Sequence, residues 1–218
     1  MLADRVLFID AEALVVDKPA GMPVTEVRDG SLGVENHLDS LRFGFQRRPQ
    51  IVHRLDRDTS GCLLLARNPR AHKRFSAAFE AGSVEKTYWA VVDGIPAGVE
   101  GVIDLPLHKI STREAGWRMV VDQRGKPSRT RWRKLAEMDG RALIEFKPET
   151  GRTHQIRVHA ATGLKAPVAG DPVYGAPGGA MLLHARALSV PRGSKPAITA
   201  MADLPASFGA FASHVEAA

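Results

Sequence analysis

Residues 128–146 read SRTRWRKLAEMDGRALIEF, and this stretch decides the fold. Ser128 to Leu135 and Ala142 to Phe146 are strand segments, and Asp139-Gly140 between them is a strong hairpin signal, because both residues tolerate positive φ. Working upstream, a turn at Gln123 to Pro127 leads back to a strand from Trp117 to Val121, and an earlier strand, Tyr88 to Val92, ends at Asp93-Gly94. Before it lies a well-marked helix, with Asn68 as N-cap, Pro69 at the first helical position and Gly82 past the last turn. Cys62 to Ala66 is a continuous apolar run, the mark of a buried strand. At the start, Val6 to Ile9 and Leu14 to Asp17 are two short strands, closed by Lys18-Pro19-Ala20-Gly21. Ser31 is placed to cap a short helix reaching Leu41, and the basic, aromatic segment Phe43 to Gln50 reads as a loop. Downstream, Thr153 to Thr162 reads as a helix capped by Thr153 and stopped by Gly163, Leu182 to Val190 as a late strand, and the tail after Pro205 as a short helix. Strands outnumber helices and several are joined by hairpins. The pattern predicts an α+β fold, a largely antiparallel mixed central sheet flanked by helices, in one domain spanning 1–218 with no Gly/Ser-rich linker.

The composition agrees with a globular chain: 218 residues, 44% hydrophobic and 25% charged. Thirty Lys and Arg against 24 Asp and Glu give a net charge of +6, which suits a nucleic-acid partner. The single cysteine, Cys62, excludes an intrachain disulfide and a CxxC zinc site. The first residues carry acids among apolar side chains and lack the apolar core of a signal peptide, and no run is long enough to span a bilayer, so the expected location is the cytoplasm.

Three segments concentrate chemistry. Ile51-Val52-His53-Arg54-Leu55-Asp56-Arg57-Asp58-Thr59-Ser60-Gly61 packs acids and bases into a loop before an apolar strand, and Arg54 and Arg57 flank Asp56 with positive charge. Taken alone, it also reads as a solvated polar turn. Glu85-Lys86-Thr87-Tyr88-Trp89-Ala90-Val91-Val92-Asp93-Gly94 is a strand with Lys86, Tyr88 and Ala90 on one face and Thr87, Trp89 and Val91 on the other. Tyr88 there is either a half-buried strand aromatic or a group able to stack on a base. Thr150-Gly151-Arg152-Thr153-His154-Gln155-Ile156-Arg157-Val158-His159 puts Arg152 at a helix start, suited to bidentate pairing with a carboxylate or phosphate, or simply part of an exposed basic helix. Of the eight histidines, His154 and His159 are five apart and no HExxH-like spacing occurs, so no metal is expected. No G-x-S-x-G elbow, Walker A loop or GxGxxG loop is present.

Together the segments resemble the RluA-type family of RNA pseudouridine synthases. His53-Arg54-Leu55-Asp56-x-x-Thr59-Ser60-Gly61 is similar to the family's catalytic-aspartate motif, Lys86-Thr87-Tyr88-x-Ala90-x-Val92-x-Gly94 to its tyrosine motif, and Thr150 to His159 to its arginine motif. Lys18-Pro19-Ala20-Gly21, Gly170-Asp171-Pro172-x-Tyr174-Gly175 and Leu182-Leu183-His184-Ala185 match as well, in the family's order, from residue 6 to 190.

The resemblance implies isomerisation of a uridine within RNA to pseudouridine, with no cofactor and no metal. Asp56, Tyr88 and Arg152 are the implied catalytic residues. Asp56 attacks the ribose C1′ or removes a proton at C2′. Arg152 is its fixed positive partner, and Tyr88 stacks against the flipped uracil and assists removal of the C5 proton. RNA contacts are implied for His53, Arg54, Arg57 and Thr59, with Arg54 entering the gap left by the flipped base. The same holds for His154, Arg157 and Leu183, and Leu183 or Ile156 is expected to form the apolar side of the uracil slot. Arg47, Arg48, Arg70, Lys73, Arg74, Arg131 and Arg133 are candidates for phosphate contacts. The first strand begins near Val6, so no S4 domain is expected before it, as in short members of the family that act on a compact stem-loop in ribosomal or transfer RNA. A monomer is expected, with RNA as partner and no membrane. Two other classes stay open at this point: a catalytically silent RNA-binding or assembly factor, and a metal-dependent nuclease using Asp56, Asp58 and a histidine with Mg²⁺.

Overall fold

Strands β1 (Val6–Ile9) and β2 (Ala13–Lys18) form the opening hairpin, turned by Asp10, whose Oδ1 accepts the Glu12 and Ala13 amides at 2.8 Å. The computed structural model describes residues 1–27, 30–112 and 116–216. The chain gathers into two compact units, one of residues 1–86 and 184–203, the other of 87–183 and 204–218.

In the first unit, β3 (Gln50–Ile51) and β4 (Ser60–Ala66) precede helix α1 (Pro69–Glu80). Asn68 Oδ1 accepts the Ala71 amide at 2.9 Å, Pro69 fills the first helical position and Gly82 follows with φ 68°, so both predicted caps are present. Phe75 of α1 is fully buried against the sheet, which contributes about 2–3 kcal/mol. Every residue of β4 is buried: β2 pairs with it antiparallel, and β11 (Leu183–Arg192) pairs with it in parallel through His184–Ser60 and Ala185–Gly61. The final strand β12 (Lys195–Met201) lies antiparallel to β11. Ser31 does not cap the expected helix. A 3₁₀ helix runs over Val34–Leu41, and Asn36 Oδ1 accepts the Gly33 amide at its start.

In the second unit, β5 (Glu85–Asp93, inside this unit from Thr87) pairs with β10 (Arg141–Pro148), β10 with β9 (Arg129–Met138), and β9 with β6 (Glu100–Asp104), all antiparallel. Asp139 and Gly140 turn the β9–β10 hairpin with φ of 51° and 74°, as predicted. β7 (Leu107–Thr112) and β8 (Gly116–Val121) form a separate hairpin. Alternation along β5 sorts its side chains onto two cores. Tyr88, Ala90 and Val92 pack with Ile144, Phe146, Ile156 and Leu183, and Trp89 and Val91 pack with Leu143, Phe208 and Phe211. Strands β6 and β12 escape the sequence pattern because they are weakly patterned: each buries two residues or fewer, and β12 carries Pro196. The predicted α+β class holds. No helix among the described residues is long and apolar enough to cross a membrane.

The helix expected over Thr153–Thr162 is different in kind. Thr153 is exposed and caps nothing, His154 is left-handed (φ 53°), α2 covers only Gln155–Val158, and a π turn follows over His159–Gly163. The short tail helix α3 (Ala210–Glu216) is present after a 3₁₀ turn at Ala206–Phe208.

Candidate active site

Asp56 lies half-buried in the first unit, in the loop between β3 and β4, where its carbonyl accepts the Thr59 amide at 3.2 Å across a turn at Arg57 and Asp58. The loop is braced from beneath by Lys18. This lysine is fully buried, and its ammonium donates to the carbonyls of Pro19 (2.8 Å), Met22 (2.7 Å) and Arg57 (2.9 Å). Burial pushes its pKa down to about 8, although the charges of Asp58, Asp56 and Asp17 oppose the shift. Arg57 returns the grip, its guanidinium donating to the Gly21 carbonyl (3.2 Å) and to Ser31 Oγ (3.0 Å). The Lys18-Pro19-Ala20-Gly21 turn and the aspartate loop are therefore one clasp. Composition gave no sign of Lys18, since a lysine at a strand end reads as solvated.

Two further residues of this loop face inward. His53 stacks on Phe79 of α1 (centroids 4.4 Å apart, 18° between planes), and its Nε2 accepts the Leu64 amide at 2.9 Å. Burial, with the nearby charge of Lys86, lowers its pKa to about 3, so it stays neutral. Thr59 is buried. His53 thus holds the β4 backbone from within the loop, and Thr59 is packed inside it. Arg57 is likewise a brace more than a free cation. Arg54 stands exposed, as expected. Behind the loop, the Ser60 hydroxyl pairs with His184 Nδ1 (2.8 Å), and His184 Nε2 with the Ala202 carbonyl (3.2 Å). His184 is fully buried, and burial lowers its pKa.

The second unit holds Tyr88 and Arg152. Tyr88 is half-buried on β5 and packs on the core cluster that contains Ile156 and Leu183. Leu183 is only 3% exposed. Arg152 is exposed and lies three residues ahead of α2, so its charge is that of the guanidinium alone, without a helix terminus. Its Nε donates to the Pro127 carbonyl at 3.2 Å.

What fixes the backbone at Arg152 is Gln155, a residue the sequence did not single out. Its side chain is buried and uses its full hydrogen-bonding capacity. Oε1 accepts the Thr150 hydroxyl (2.7 Å) and the Arg152 amide (3.0 Å), and Nε2 donates to the Arg129 carbonyl (3.0 Å) and Thr130 Oγ1 (2.9 Å). One turn on, His159 continues the network, with Nδ1 on Thr130 Oγ1 (2.9 Å) and Nε2 on the Leu105 carbonyl (3.1 Å). The signal available in the sequence was two polar residues four apart, Gln155 and His159, set among Ile156, Val158 and Ala160.

His154 and Arg157 are both tied to the Gly170–Gly175 segment. Arg157 is buried and forms a bidentate pair with Asp171, Nε to Oδ2 at 2.7 Å and Nη2 to Oδ1 at 2.8 Å. Burial alone would raise the Asp171 pKa, but the Arg157 guanidinium and the Val173 and Tyr174 amides outweigh it and hold it below the usual range. His154 Nδ1 meets the Tyr174 hydroxyl at 2.8 Å, and Trp117 tilts over the ring at 5.0 Å. Asp171 and Tyr174 of the Gly170–Gly175 motif thus hold the arginine motif in place. Among the phosphate candidates, Arg74 pairs with Glu12 (2.8 Å), Arg131 with Glu149 (2.6 Å) and Arg133 with Glu145 (3.3 Å). Among the described residues, no three His, Cys, Asp or Glu side chains converge as metal ligands.

The RNA pseudouridylate synthase family model matches residues 12–162. An uncharacterized RNA pseudouridine synthase of Zymomonas mobilis is 60% identical over 212 residues, covering 95% of this chain and 97% of that protein. The ribosomal large subunit pseudouridine synthase D of the same organism is 40% identical over 178 residues, 78% of this chain but 56% of that protein. Among solved structures, human RNA pseudouridylate synthase domain containing 4 superposes with a TM-score of 0.81 at 26% identity, over 98% of this chain and 93% of that one.

Proposed function

Because this chain belongs to the RNA pseudouridine synthase family, we propose how its own residues divide the work of isomerising uridine to pseudouridine in RNA. The target base leaves its stack. The N1–C1′ bond breaks, the uracil turns, C5 bonds to C1′, and the C5 proton is lost while N1 gains one. Asp56 supplies the carboxylate that acts at C1′ or C2′. Tyr88 receives the flipped uracil against the apolar wall of Ile156 and Leu183 and assists loss of the C5 proton. Arg152 supplies positive charge for the carboxylate chemistry, and Arg54 fills the gap left in the RNA stack.

The observation that carries this reading is the clasp around Asp56. A fully buried lysine holding three carbonyls fixes the turn that presents the carboxylate, and a loop without a task has no need of that expense in desolvation. The substrate is a stem-loop of ribosomal or transfer RNA. Similarity to the large subunit synthase D makes large-subunit ribosomal RNA the first transcript to try. Such work would place the protein in the cytoplasm, as a monomer whose residues 1–218 serve as one catalytic domain.

The test is tritium release from RNA labelled at uridine C5, in EDTA, with unmodified transcripts of total ribosomal and transfer RNA. Wild type releases tritium and Asp56→Ala does not. Release that persists in Asp56→Ala removes Asp56 from the chemistry, and no release by wild type overturns the reading.

A further inference from the structure

The basic, aromatic loop between the 3₁₀ helix and β3 has no part in the chemistry above, yet it is built with care. Arg67 is buried just ahead of α1 and donates to the carbonyls of Asp10 (2.7 Å), Arg42 (2.9 Å) and Phe43 (3.1 Å), while its guanidinium lies 3.7 Å from the Phe45 ring centroid. Phe43 is thereby held left-handed, at φ 44°, and the residue is 43% exposed. A bulky residue in this conformation is strained, and glycine would adopt it freely. At the far end of the loop, Gln50 pairs with Ala66, and His72 Nε2 meets the Ile51 carbonyl at 3.0 Å. These ties fix the loop at both ends, one on Arg67 just ahead of α1 and the other on His72 in its first turn.

Four exposed cations stand on these two elements: Arg47 and Arg48 in the loop, Arg70 and Lys73 on α1. Among the described residues none has an acidic partner, while the neighbouring acids are already engaged. Asp39 pairs with Arg42, Asp10 with Arg192, and Glu12 with Arg74 and Lys195. Arg70 also sits in the first turn of a twelve-residue helix, where the backbone dipole disfavours a cation, and that turn holds no acid. Folding stability therefore explains neither the charges nor the strained phenylalanine.

We infer that Phe43, Arg47, Arg48, Arg70 and Lys73 form a docking face for RNA outside the target nucleotide. The four cations contact backbone phosphates, and Phe43 stacks on an unpaired base. The inference rests on the pseudouridine synthase reading for the identity of the polyanion. The loop runs on through Ile51 and His53 to Asp56, so RNA held here is held by the same stretch of chain that presents the carboxylate.

The test compares wild type with Arg47→Gln/Arg48→Gln, Arg70→Gln/Lys73→Gln and Phe43→Gly. Filter binding to the unmodified transcript is measured across a KCl series, with single-turnover tritium release at saturating protein and thermal melting alongside. Each double variant lowers the slope of log Kd against log salt by about 2, roughly one per cation removed, with the saturating rate unchanged. Phe43→Gly melts at the same or a higher temperature and binds RNA several-fold more weakly at unchanged slope. Unchanged slopes and affinities, with wild type active, overturn the docking face. An inactive wild type overturns the functional reading instead, whatever the slopes. Phe43→Gly that melts lower and binds normally makes the ring a packing element and removes it from the face.

Discussion

Gly61 runs so close to Ala185 that a Cβ on Gly61 would stand 2.3 Å from the Ala185 carbonyl oxygen. Its φ of 106° is also one that side chains avoid. The last residue of the aspartate motif is thus the point where β4 and β11 are pressed together, and Gly61→Ala is expected to cost about 3 kcal/mol or more through strain and overlap. Urea unfolding checks it, and a loss below about 1 kcal/mol would show that the strands part easily.

Gln155→Glu keeps shape and removes two donors, so the Arg129 carbonyl and Thr130 Oγ1 each lose one of their partners and keep the Glu149 amide and His159 respectively. Because Arg152 hangs from the same amide group, the single-turnover rate is expected to fall on the order of tenfold or more while RNA affinity stays within about twofold. Equal losses in rate and affinity would mean that the loop has collapsed and not merely shifted.

The buried pair of Arg157 and Asp171 is expected to behave asymmetrically. Asp171→Asn leaves a buried guanidinium without its charge partner and destabilises by about 3–5 kcal/mol, whereas Arg157→Met with Asp171→Leu recovers part of that loss. Denaturant midpoints of wild type and the two variants decide it. A mild effect of Asp171→Asn would place the guanidinium in water.

His53 gives a pH dependence with a definite sign. Its pKa is about 3 in the folded protein against an ordinary 6.5, so the unfolded chain takes up a proton that the native state refuses. The contribution is whole above pH 6.5 and is lost as pH falls toward 3. His53→Gln keeps an acceptor for the Leu64 amide without titrating. The stability of wild type relative to His53→Gln is expected to drop by about 2 kcal/mol between pH 7 and pH 5. Parallel curves would mean that the ring is solvated. His159 and His184, also lowered by burial, remain in both proteins and cancel.

Cys62 is buried and its thiol is pushed up to about 12 by burial. Iodoacetamide at pH 8 is expected to leave the native protein unlabelled and to modify it fully in urea, as mass spectrometry would show. Rapid native labelling would reveal opening of the β4 strand.

Much of this was legible because the deciding signals are local. Asn68-Pro69 and Asp139-Gly140 act through their own backbone, and their helix start and turn are where the sequence put them. The aspartate loop was legible as a motif. Its supports were not: Lys18 grips a carbonyl 39 residues away, and Gln155 reaches Arg129 and Thr130 26 and 25 residues back. Arg157 and His154 looked like surface charges because nothing near them in sequence shows that Asp171 and Tyr174 fold onto them. Basic residues are exposed by default, and only a distant partner makes burial tolerable. The strained Phe43 was invisible for the same reason: its conformation is imposed by Arg67, 24 residues on.

The parallel pairing of β4 with β11 has a consequence for how the protein is made. Residues 1–86 leave the ribosome with the start of β4 still open on one side, since β3 covers only its end, and the strand that closes it, from His184 onward, is translated about a hundred residues later. During that interval Ser60 has no His184, and the start of β4, at Ser60 and Gly61, waits with an unpaired edge. Nascent chains stalled short of residue 184 are therefore expected to be the more aggregation-prone species, and the start of β4, which follows the aspartate loop, is closed only once β11 has been made.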